Sequence, residues 1–121
     1  MNGIAETLYA FWSSFGVPAY VEGYVPDDET SNLYITYSLI QPEWRTQGLH
    51  YARVWSRSTS YQQITQLLEE ITYAIGEGRS FKLDNGFVVI FKDSQFIQFQ
   101  QSDDVDWKIA YISMIIEANI A

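Results

Sequence analysis

The side chain best suited to acid–base chemistry at neutral pH is histidine, and this chain has one, His50. It lies in "GLHYARVWSR", a run of strand character. No serine in a nucleophile-elbow setting accompanies it. The chain has no cysteine, which excludes thiol nucleophiles, disulfides and Cys-ligated zinc or iron–sulfur centres. His50 therefore reads as an ordinary structural or surface histidine. Two acidic groups remain, Asp27-Asp28-Glu29 and Asp103-Asp104-Asp106. Calcium loops alternate their ligands, bend at a glycine and end on a distal glutamate, and neither group does so. Paired carboxylates for glycoside cleavage need a cleft and a sugar platform, and no spacing here points to one. "GEGRS" carries glycines but follows a helical pattern. Phosphate-cradling loops precede a helix, so this one reads as a helix stop. The expectation is no catalytic residue, no metal site, no cofactor and a role other than catalysis.

The elements that would position these residues are legible in the periodicity. Ile4, Leu8, Phe11, Trp12 and Phe15 form one stripe at helical spacing over residues 3–15. Gly16 and Pro18 end that helix. A short strand is expected at 19–22, then the polar loop "VPDDETSN". "LYITYSLIQ", residues 33–41, alternates as a strand with Leu33, Ile35, Tyr37 and Leu39 on one side. A short link leads to an antiparallel strand at 49–57. A second helix is expected in "STSYQQITQLLEEITYAIGEG". Ile64, Leu67, Leu68, Ile71 and Ile75 form its apolar stripe, Ser60 with Gln63 has capping-box spacing, and Gly76 and Gly78 end it. "SFKLDNGFVVIFK" reads as a hairpin turning at Asn85-Gly86. Separate strands are expected at 96–101 and 107–117. The order of helix, strands, helix and strands predicts an α+β fold: a single domain over 1–121, with an antiparallel sheet and two α-helices packed on one face.

Two strands carry more apolar surface than such a fold would hide. At 49–57 one side holds His50, Ala52 and Val54, and the other holds Tyr51, Arg53, Trp55 and Arg57. Tyr, Trp and Arg are enriched in interface hot spots, which makes these four candidate interface residues. At 107–117, Lys108, Ala110, Ile112, Met114 and Ile116 alternate with Trp107, Ile109, Tyr111, Ser113 and Ile115, so both sides are largely apolar. Phe87, Val89 and Phe91 against Val88 and Ile90 repeat the pattern. An antiparallel sheet with one wet face alternates cleanly instead. The second face is therefore expected to meet another protein surface, most simply a copy of the same chain.

Composition bounds the partner. The chain has 121 residues, 47% of them hydrophobic and 17% aromatic, enough for one ordered core. Its formal net charge of −8 disfavours sequence-reading of nucleic acid. No signal-like leader is expected in "MNGIAE", and no apolar run approaches the ~20 residues of a membrane span.

The phrases "PAYVEGYVP", "LYITYSLIQP", "STSYQQITQLLEEI" and "LDNGFVVIFKDSQFIQFQQ", followed by acidic residues and a long last strand, run over residues 18–117. This pattern resembles the tail terminator or tail completion proteins of long-tailed bacteriophages, a family of minor capsid or minor tail proteins. The resemblance implies structural work in the virion tail and neck, after assembly in the host cytoplasm. It implies a homo-hexameric ring that stops growth of the tail tube and meets the head connector, or stopper protein. DNA passes through such a ring without sequence-specific binding. The acidic residues Asp27, Asp28, Glu29, Asp103, Asp104 and Asp106 become candidates for facing that channel, where negative charge would keep DNA from sticking. Two alternatives stand beside this reading. One is a head-completion or stopper protein of the neck. The other is a small non-enzymatic ligand-binding α+β module, with Trp44, Trp55 and Trp107 lining a pocket.

Overall fold

The structure is a computed structural model that describes residues 3–39, 47–102, 104 and 106–120. Asp103 and Trp44 lie outside them. Among the described residues, two helices and six strands follow in the order α1 (Ile4–Ser13), β1 (Ala19–Val21), β2 (Leu33–Tyr37), β3 (Gln47–Arg57), α2 (Gln62–Ile75), β4 (Arg79–Leu83), β5 (Gly86–Gln100) and β6 (Trp107–Ile120). The strands form one sheet in the order β1-β2-β3-β6-β5-β4. The fold is α+β, but the sheet is mixed where a purely antiparallel one was expected. β1 runs parallel to β2, with Ala19 opposite Ile35 and Val21 opposite Tyr37. The physical reason is the loop at 22–32, which carries the chain back along the sheet so that both strands start from the same end.

Both helical stripes are buried as their spacing predicts. In α1 these are Ile4, Leu8, Phe11 and Trp12, and in α2 Ile64, Leu67, Leu68, Ile71 and Ile75. They join one core cluster with Ile35, Tyr37, Ala52, Val54, Val88, Ile90, Ala110, Ile112, Met114 and Ile116. Helix α1 reaches both edge strands, β1 and β4, which requires the sheet to curl beyond its ordinary twist. The Phe11 ring meets Phe81 of β4 edge to face at 5.4 Å, and the Trp12 ring stacks on Tyr37 of β2 at 6.4 Å. Among the described residues no helix is long and apolar enough to cross a membrane.

Three local expectations are corrected. The hairpin turns one residue earlier, because Leu83 pairs with Gly86 and leaves Asp84-Asn85 as its central residues. The N-cap of α2 is Tyr61, without a side-chain bond, so there is no capping box. The Ser60 hydroxyl instead accepts the Gln62 N–H at 3.1 Å. Finally, the second arm of the expected hairpin, ending at Lys92, and the strand expected at 96–101 are not separate: β5 runs through both as one 15-residue strand. It absorbs the interval as a bulge between Lys92 and Ile97. The Ser113 hydroxyl donates to Asp93 across it at 3.0 Å, so strand pairing resumes instead of turning away.

Candidate interaction face

Cross-strand register assembles the candidate face. β3 lies between β2 and β6, so each outward residue of β3 has a neighbour on both sides. Tyr34, Trp55 and Ile109 form one row, and Thr36, Arg53 and Tyr111 the next. Tyr51 pairs with Ser113, and Arg57 with Trp107. Apart from Thr36, these side chains are half-buried or exposed, whereas the alternating set beneath them (Ala52, Val54, Ala110, Ile112, Met114) is fully buried. All four residues singled out from sequence, Tyr51, Arg53, Trp55 and Arg57, lie on this face.

The face divides into two packed groups. Tyr34 stacks on Trp55 at 6.0 Å with planes 9° apart, and the edge of Trp107 meets both rings. The Trp55 indole donates to the Thr36 hydroxyl at 2.9 Å, which explains why this one threonine is buried. The Arg57 guanidinium lies 5.8 Å from the Trp107 ring centre. In the second group Tyr51 stacks on Tyr111 at 5.5 Å. The Arg53 guanidinium sits 5.2 Å from the Tyr111 ring and 6.0 Å from that of Tyr51. Arg53 also pairs with Glu22 and donates to Gln100 at 3.3 Å. These contacts hold a planar cation and large rings in fixed positions while leaving them partly open. Such preorganisation lowers the entropy cost of binding. Trp55 and Trp107 thus pack against each other on this face.

Sequence reasoning missed Tyr34, Tyr111 and Glu22 as members. The parity of Tyr34 and Tyr111 in their own strands was available as a signal. Which outward residue of β6 stands beside which residue of β3 was not.

The acidic residues separate into two kinds. Glu29 is used locally: it accepts from the Tyr20 hydroxyl, and its other oxygen accepts the Ser31 N–H at 2.6 Å. The bond from Ser31, then that from Tyr20, holds its carboxyl below the usual range. The same bond, with burial and the nearby charge, pushes the Tyr20 phenol up to about 12. Asp27, Asp28, Asp104 and Asp106 are exposed. Asp104 accepts the Asp106 N–H at 2.9 Å and so shapes its own turn. Both acidic segments close the same end of the sheet: Arg57 N–H donates to the Asn32 carbonyl, and Ser58 N–H to that of Asp106.

His50 is fully buried, as a structural reading requires. The Trp12 indole donates to its Nε2 at 3.0 Å, and its Nδ1 lies 3.1 Å from the Ser38 hydroxyl. An accepting Nε2 leaves the proton on Nδ1. Ser38 also accepts the Tyr51 N–H. Burial pushes the His50 pKa down to about 4. A neutral imidazole sealed between an indole and a hydroxyl has no position from which to reach a substrate. No protein-family model matches the chain, and no curated protein matches it.

Proposed function

We propose that this chain is a structural protein of a long-tailed phage, a tail terminator that caps the head-proximal end of the tail tube. In this reading it forms a ring, stops tube polymerisation and joins the tail to the head connector. The buried stripes of both helices join one core cluster with the inward residues of the sheet, while the opposite side of β2, β3 and β6 stays partly open. The observation that supports this most is that opposite side: Tyr34, Trp55, Trp107, Tyr51 and Tyr111 with Arg53 and Arg57, ordered yet half-exposed. Contiguous apolar surface of this kind marks protein–protein contact, and its composition is that of hot spots. The face is the surface that meets the tube. The exposed aspartates at one end of the sheet would line the channel, where negative charge repels DNA.

The test is polymerisation of the parent phage's tail tube protein with and without this chain, read by electron microscopy. Capped tubes bearing a ring at one end are expected. Tubes of unchanged length with bare ends would overturn the reading. Binding to portal or adaptor instead would make the chain a stopper.

A further inference from the structure

A tyrosine-rich recess of about 430 Å³ lies beside β1. Its walls come from three elements: Tyr9 of α1, Tyr20 and Val21 of β1, and Tyr37 of β2, with Tyr24 and Leu39 beyond the strand ends. A turn brings Tyr24 there. Gly23 takes a φ of 88°, which suits glycine, and the Tyr24 N–H donates to the Val21 carbonyl at 3.0 Å. Tyr24 is 78% exposed, Tyr9 57% and Leu39 44%, so the apolar walls stand open to solvent.

The rim of the recess is acidic. Glu29 accepts from the Tyr20 hydroxyl, and Asp28 lies near enough to disfavour ionisation of the same phenol. Among the described residues neither carboxylate has a cationic partner, and Glu22, which follows Val21, is already paired with Arg53. The free edge of β1 is three residues long, too short to guide an added strand. The surface therefore offers flat aromatic rings, hydroxyl donors and uncompensated negative charge. A polyproline II segment matches the first two. Its rings are apolar, its carbonyls have no internal partners, and its fixed φ keeps the cost of ordering low. The charge calls for a basic residue beside the prolines.

We infer that this recess binds an extended, proline-rich segment of a partner protein that carries a lysine or arginine next to its prolines. The proline rings pack on the Tyr9 and Tyr24 rings, as in other aromatic-lined grooves that take such segments. The exposed tyrosine hydroxyls donate to the segment's carbonyls. Its cation meets Asp28 and Glu29. A second copy of this chain does not fit the description, because Pro18, Pro26 and Pro42 stand singly in its sequence. The inference goes beyond the phage role and does not depend on it.

The test titrates the full chain into a fluorescein-labelled oligoproline with an arginine at each end and reads anisotropy. Saturable binding is expected, with a Kd on the order of 10–100 μM. Tyr9→Ala and Tyr24→Ala change exposed positions, and circular dichroism verifies their fold. Each should weaken binding at least about tenfold. Asp28→Asn should weaken it about threefold and make it less sensitive to salt. A glycine–serine peptide with the same arginines should not bind. No binding by the oligoproline would overturn the inference, and so would full affinity in Tyr24→Ala. Equal binding by the glycine–serine peptide would reduce the contact to charge alone and sink the proline-rich partner. Sedimentation decides the other occupant: self-association that Tyr24→Ala abolishes would show a second copy covering the recess and would overturn the inference too.

Discussion

The Trp12 indole N–H points at His50 Nε2 from 3.0 Å, across 38 positions of sequence. That bond ties the first helix to the sheet, and burial holds the histidine neutral. The folded pKa of about 4 lies below the ordinary value of 6.5. The unfolded chain therefore binds more protons at this site as pH falls. The stability it contributes is complete above about pH 6.5 and is lost progressively towards pH 4, by on the order of 3 kcal/mol. Urea midpoints from pH 7 to 4.5 should fall for wild type. They should fall less steeply for His50→Gln, and equal slopes would refute the assignment.

Trp12→Phe keeps most of the ring volume and removes the donor. It leaves a buried acceptor unpaired, which costs about 1–3 kcal/mol. The urea midpoint at pH 7 should drop accordingly. An unchanged midpoint would show that the indole N–H contributes nothing.

Arg53→Ala separates folding from assembly. The Arg53 and Glu22 side chains are 25% and 33% exposed, and ion pairs so open to solvent contribute about 0–1 kcal/mol. Thermal stability of the isolated chain should barely move. Binding to tail tubes should weaken by about 1–4 kcal/mol if the guanidinium is a hot spot. Full tube affinity would remove Arg53 from the contact.

The acidic turns should not behave alike. Glu29→Gln breaks a carboxylate bonded to Tyr20 and Ser31. In an ultraviolet titration the Tyr20 phenol, pushed up to about 12 in wild type, should ionise closer to 10 in this variant, removing a high-pH phase. If that phase stays, the Tyr20–Glu29 bond is not its cause.

Asp27→Asn with Asp28→Asn removes two exposed charges from the loop. Rings should still assemble, and DNA ejection should slow because the channel wall repels less. Normal ejection kinetics would dismiss the electrostatic role. Asp104→Asn keeps an acceptor for the Asp106 N–H, so it makes the matching test in the other turn.

Much of this protein was determined by local sequence. Ile64, Leu67, Leu68, Ile71 and Ile75 are buried because a period of 3.6 places them on one side of a helix. Ala52 and Val54 go inward while Arg53 and Trp55 go outward because a strand has period two. The aromatic face was legible as a parity, whereas the choice between a surface and a buried His50 was made by the tertiary structure. Tertiary structure alone decided what those parities meet. The pairing of β3 with β6 joins segments far apart in sequence, and its register follows from joint burial of both inner faces, which no local pattern encodes. The parallel start of the sheet depends on the path of the loop at 22–32. The continuity of β5 depends on a bulge that only a partner strand can stabilise. Glu29, one acid among several in the sequence, is set apart by folding alone, which brings Tyr20 and Ser31 to it.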